Sequence, residues 1–258
     1  MAKSSGRIAL LDEIRGFCVL CMIFYHAFIF MGDQYGIKFG TDAYHFFLPV
    51  QPYVSCMFLF ICGICCRFSH SNLKRGLKLG AFALVLNFVS IVILPKMGFS
   101  GTEILWGVLD FFTICILGFV AFEKPIRKMP AWIGCIICLL LFWVFQDWIP
   151  NNTITLWGDF SWTIPESWHS VKWLFPLGIQ YDGFYSADYF PLIPYGFIFF
   201  LGSFVGKWMK DGEVPSFAYT VHIKPLDWLG RHCFVIYLAE LPIIFIILEF
   251  ITWIVGKF

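Results

Sequence analysis

Arg15 and His26 lie in the first apolar segment of the chain, with ten residues between them. At about 100° and 1.5 Å per residue, eleven helical steps return to nearly the same face and span roughly 16 Å. The guanidinium and the imidazole therefore share a stripe, about three turns apart. Asp12 lies on that stripe one turn before Arg15. An Arg deep in a membrane helix costs roughly 2.5–3.5 kcal/mol on insertion scales, so a charge kept there faces a partner or a polar cavity. A neutral His26 can take a proton from an attacking hydroxyl or amine, or carry an acyl group as an acyl-imidazole; alternatively it is a hydrogen-bonded structural residue. Arg15 either binds a ligand or pairs with Asp12. Asp110 is expected at a depth near His26, where a carboxylate would fix the imidazole tautomer or simply bond to a neighbouring helix. His45, in the first outer loop, is the second imidazole to consider. Glu240 and Glu249 fall in the last apolar segment as hydrogen-bonded glutamates with no assigned chemistry.

The elements that must position these groups are membrane helices. The 258 residues are 59% hydrophobic and 14% charged, with mean hydropathy +0.77. Soluble domains average about 25% charged, so the chain is read as an integral membrane protein of all-α class, a polytopic helix bundle. A span takes about 20 mostly apolar residues, and seven windows qualify, near 9–31, 48–66, 77–95, 103–121, 130–148, 189–208 and 229–255. Lys3, Arg7, Arg67, Lys74, Arg75, Lys78, Lys124, Arg127, Lys128, Lys207, Lys210 and Lys224 fall on one side of this arrangement. Only Lys38, Lys96, Lys172 and Lys257 fall on the other. The positive-inside rule then puts the N-terminus in the cytoplasm and the C-terminus outside; six or eight spans would put a basic loop on the wrong side. The first span is expected to be uncleaved, and residues 1–258 to form one membrane domain. A net charge of +1 argues against a nucleic-acid partner.

Nearly all of the ten cysteines fall inside apolar runs, as small packing residues. Cys135-Ile-Ile-Cys138 has redox or metal spacing but lacks a nearby His or a second such pair, so no metal is expected. The outer loop, about 147–188, collects Trp148, Trp157, Trp162, Trp168, Trp173, Tyr181 and Tyr185 with Asp147, Asp159, Glu166, Asp182 and Asp188. It is either an aromatic belt at the interface or a lid and platform on which a sugar stacks.

The pattern Arg7, Asp12, Arg15-Gly16, then His26 resembles the opening helix of transmembrane acyltransferases. It is most similar to the heparan-alpha-glucosaminide N-acetyltransferase catalytic-domain family and its bacterial members. More distantly it resembles sugar O-acyltransferases, whose Arg and His keep the same gap. Phe58 to Gly63, Ser71 to Lys78, and Trp228-Leu-Gly-Arg-His232 running into Tyr237 and Pro242 resemble later segments of the closer family, over roughly residues 7–245. The resemblance implies acetyl transfer from cytoplasmic acetyl-CoA to a glycan or amino-sugar acceptor across the membrane. It matches His26 to a site position, Asp12 and Arg15 to the signature, and His45 to a second catalytic histidine. Cys62, Asp110 and Glu240-Leu241 depart from the pattern, standing where relatives carry Ser, His and His-Gln. The likeness also suggests a bacterial plasma membrane, with lipids as partners and a homodimer as an open option.

A donor route follows. The phosphates of acyl-CoA stay cytoplasmic, where Arg67, Lys74, Arg75 and Lys78 supply cations and Arg231 and His232 sit at the same level. The pantetheine arm runs past Arg15 toward His26. Positive-inside bias alone would also account for those cations. The rival readings are a proton or solute transporter, since intramembrane ionisable groups line such paths too, and a non-catalytic membrane subunit.

Overall fold

The computed structural model describes residues 7–97, 101–157, 160–212 and 214–255. Lys3, Asp159 and Lys257, which entered the expectations above, lie outside the described residues. In chain order the helices are α1 (Ala9–Asp33), α2 (Lys38–Phe47), α3 (Gln51–Phe68), α4 (Asn72–Phe88), α5 (Val108–Ala121), α6 (Glu123–Lys128), α7 (Ala131–Val144) and α8 (Trp148–Asn151). A hairpin of β1 (Thr153–Trp157) and β2 (Phe160–Thr163) follows, then α9 (Glu166–His169), α10 (Leu192–Asp211), α11 (Lys224–Arg231) and α12 (Cys233–Val255).

Five helical stretches among the described residues are long and apolar enough to cross a membrane: α1, α3, α4 with its π-helical extension to Ile93, α10 and α12. Their outward side chains include Phe24, Leu84, Val85 and Ile246. In water such exposure would be costly, and in hydrocarbon it costs nothing. The protein is thus an all-α integral membrane protein.

Three expected spans come out differently. The 103–121 window begins helically only at Val108, because Gly107 is the cap residue and Asp110 Oδ2 accepts its amide at 2.9 Å. The stretch before it is non-helical, tied down by Ser186, whose Oγ accepts the Leu105 and Trp106 amides. The 130–148 window starts at Ala131 after Pro130 and ends at Val144, since Trp148 is drawn away into a small core with Ile164 and Ile179. Both helices have 14 residues, roughly 21 Å, against a hydrocarbon thickness of about 30 Å. The last window, 229–255, is interrupted at His232, which leaves helical geometry between α11 and α12.

The 147–188 loop carries secondary structure of its own. Its hairpin pairs Thr153 with Thr163 and Ile154 with Trp162, and the Trp148 indole donates to the Leu177 carbonyl at 2.7 Å. Trp173, by contrast, is 84% exposed.

The chain forms two compact units, Met1–Ile61 with Glu213–Phe258, and Cys62–Gly212, the boundary falling inside α3. The second unit has its core around Phe111, Ile116 and Phe199, all fully buried. In the first, α2 folds back on α1 through a turn at Gly36, and α1 packs along α11 and α12. Three contacts fix the sense of that packing. Arg15 meets Gly230, His26 meets Glu240 and Tyr35 meets Glu249, at sequence separations of 215, 214 and 214. A constant separation means that α1 and the α11–α12 pair run parallel and in register.

Candidate active site

The site in the first unit begins at a notch between two backbones. A Cβ at Gly16 would lie 1.9 Å from the Leu226 carbonyl oxygen, and one at Gly230 would lie 1.8 Å from that of Asp12. Only glycine fits at either crossing point, so α1 and α11 touch main chain to main chain. Glu13 fastens the same junction. Its carboxylate accepts the His222 amide and the Ile223 amide (2.7 Å), at the N-terminus of α11, where amide groups lack helical partners. His222 Nδ1 lies 3.3 Å from its other oxygen.

Around the notch is a connected ionic cluster. Asp12 is buried and receives Arg7 and Arg15, the latter at 3.2 Å. Arg15 also donates to the Gly230 carbonyl at 3.3 Å. Asp227, equally buried, pairs with Arg231 and lies 3.7 Å from Arg7. Three guanidiniums are thereby held by two carboxylates. The carboxylates are buried but Arg7 and Arg231 are about half exposed, so the set is weak evidence for stability by itself while still constraining register. Arg15 and Asp12 thus pair as their spacing allowed, and so do Asp227 and Arg231. His232 is exposed, its Nδ1 2.8 Å from the Trp228 carbonyl.

Three turns further along α1, His26 Nδ1 is 2.7 Å from Glu240 Oε1. Glu240 is 4% exposed and the His26 side chain 22%. A carboxylate on Nδ1 fixes the tautomer with its proton there and makes Nε2 the basic nitrogen, while the same charge stabilises an imidazolium. Glu240, left without chemistry in the sequence, is the acid that meets the histidine. The available signal was depth: both residues lie in the middle part of helices that cross in the same sense.

The remaining candidates are placed as follows. His45 is exposed on α2, with its ring 5.2 Å from Tyr44. Tyr44 is 5.4 Å from Tyr25, whose ring is 6.0 Å from His26. Asp110 belongs to the second unit and has a capping role: Asn87 Nδ2 donates to both its oxygens at 3.2 Å, and the Gly107 amide to one of them. Arg67 and Arg75 are also in the second unit. Arg67 donates from Nε to the Ser203 carbonyl at 2.9 Å and stacks over Phe119; Arg75 is half-buried on α4. The outer loop holds a polar concavity of about 340 Å³ lined by Asn152, His169, Gln180, Tyr181 and Asp182. Among the described residues no group of three or more His, Cys, Asp or Glu side chains could hold a metal ion, and all ten cysteines are free thiols.

The profile of the family described as heparan-alpha-glucosaminide N-acetyltransferase, catalytic, matches residues 7–242. The chain belongs to this family. Membership makes it a transferase of the acetyltransferase class, and the matched stretch holds the notch, the ionic cluster and the His26–Glu240 pair. Comparison with curated proteins and with solved structures returned no significant match.

Proposed function

We propose that the protein moves an acetyl or longer acyl group from cytoplasmic acyl-CoA to a hydroxyl or amine of a sugar or amino sugar on the opposite side of the membrane. His26 acts as general base and Glu240 as its positioning residue. The observation that carries this reading is the 2.7 Å His26–Glu240 pair inside an acetyltransferase-family segment. As the acceptor oxygen or nitrogen attacks the thioester carbonyl, its proton passes to His26 Nε2. The carbon–sulfur bond then breaks, and the imidazolium returns the proton to the departing thiolate, so the enzyme ends unchanged. Glu240 keeps the ring oriented and offsets its transient positive charge.

On the donor side, Arg7, Arg15 and Arg231 outnumber Asp12 and Asp227. With Glu13 at the same junction the charges balance, and these guanidiniums lie roughly 16 Å or more along the helix from His26, on the side where acyl-CoA phosphates would remain. In the second unit, the loop concavity offers an amide, a carboxylate and a tyrosine face, a lining that suits a hydroxyl-rich molecule. The seven-span reading, with a cytoplasmic N-terminus and an external C-terminus in a bacterial plasma membrane, is retained. Its support is that α1 and α12 run parallel, which calls for an odd number of crossings: five from the long helices alone, seven when α5 and α7 also cross. The test is acetyl transfer from acetyl-CoA to glucosamine by purified protein in nanodiscs. Activity in the parent and its loss in a folded His26→Ala variant is the expected result. Full turnover without that imidazole would remove the reading.

A further inference from the structure

The second unit contains a cavity of about 510 Å³, lined in part by Arg67, to which the proposed function assigns no step. It lies where α3 ends, α4 begins, and α5, α6 and α10 end. Arg67, Arg127, Lys207 and Lys210 line it against two acids, Glu123 and Asp211, so its walls are net cationic. The charge is not consumed by its neighbours. Lys207 Nζ donates to the Arg127 and Met129 carbonyls and Lys210 Nζ to that of Arg67, yet an ammonium carries three donors. Nη2 of Arg67 is buried without a hydrogen-bond partner among the described residues. The start of α4, capped by Ser71, adds amide donors to the same wall. Phe119 supplies an apolar side. Around this group of helix ends, Leu73, Leu77, Phe122 and Trp208 are exposed, as suits residues in contact with acyl chains and the interface.

We infer that this cavity binds the phosphate of an anionic phospholipid headgroup, with the lipid's chains lying against those outward apolar residues. The chemistry is that of basic pockets between membrane helices, where guanidinium and ammonium donors meet a phosphate at the headgroup level. A soluble phosphate would gain from the cations but not from the apolar flank.

The experiment is native mass spectrometry of the full chain, released into defined mixtures of phosphatidylglycerol and phosphatidylcholine. The parent should retain phosphatidylglycerol preferentially. Lys210→Gln and Arg127→Gln, both near the protein surface, should each weaken that preference about fivefold, and Lys172→Gln, a cation in the outer loop, should not. Arg67→Gln should weaken it at least as much if it folds; the two milder variants carry the test otherwise. Equal retention of the two lipids by the parent would overturn the inference, as would an equal loss with Lys172→Gln. Displacement of phosphatidylglycerol by adenosine 3′,5′-bisphosphate would also overturn it, assigning the cavity to a soluble nucleotide.

Discussion

Replacing Glu240 by Gln keeps size and shape and removes one charge. In the native pair the imidazole donates to a carboxylate at 2.7 Å, on a side chain 4% exposed. A hydrogen bond to a charged group contributes about 1.5–3 kcal/mol and a neutral one about 0.5–1.5. The loss is therefore about 1–2 kcal/mol, felt most when the ring becomes cationic in the transition state. At about 1.4 kcal/mol per tenfold, kcat should fall about 5–30-fold, with the KM for acetyl-CoA nearly unchanged. His26→Ala removes the base itself and should cost about 10²–10⁴-fold. Because Glu240 acts only through His26, the double variant should be no slower than His26→Ala. The assay is release of free CoA thiol by purified protein with acetyl-CoA and glucosamine, with size-exclusion profiles confirming folding. Two results refute the reasoning: a Glu240→Gln enzyme within threefold of the parent, or its full separate effect persisting when His26 is already Ala.

Other outcomes follow from the same contacts. Gly16→Ala and Gly230→Ala drive a methyl into fixed backbone and should each cost at least about 1–3 kcal/mol. Gly196→Ala, whose nearest neighbour is the Cys115 sulfur at 4.0 Å, should stay within about 0.5 kcal/mol; thermal melts in detergent compare them. Glu13→Ala leaves the His222 and Ile223 amides, just ahead of α11, without their acceptor and should cost about 1–2 kcal/mol, read as a lower melting temperature. Asp110→Ala uncaps α5 and frees Asn87, with a similar fall by the same measurement. Partial burial and a hydrogen bond to Glu249 push Tyr35 up to about 12. Its stabilising effect is present below the ordinary tyrosine value of about 10 and is lost as pH rises through 12. A Tyr35→Phe variant should therefore show a weaker alkaline decline in melting temperature than the parent.

Local sequence spacing carried the part of this site that is local. Asp12 and Arg15 are three apart and Asp227 and Arg231 four apart, and both pairs form. The shared stripe of Arg15 and His26 also survives: both face the α11–α12 pair. What spacing could not supply was the identity of partners more than two hundred residues away. Glu240 carried no mark beyond its depth, and Glu13, which secures α11, read as another charge at a helix start. The glycine notch was equally hidden, because Gly16 and Gly230 gain meaning only when they face each other. Apolar windows found the membrane helices but overran α5 and α7, since hydropathy does not register a capping aspartate at 110 or a tryptophan claimed by a loop core at 148.

The glycine notch also works as a ruler. With both backbones in contact at Gly16 and Gly230, neither helix can slide by a residue without driving a side chain into main chain. The height of the imidazole is then set from the far end of the same helix. One alanine inserted between Gly16 and His26 would leave the lower joint intact and swing the imidazole by about 100°. The acid on α12 would be left facing an empty station, its composition unchanged and only the phase lost.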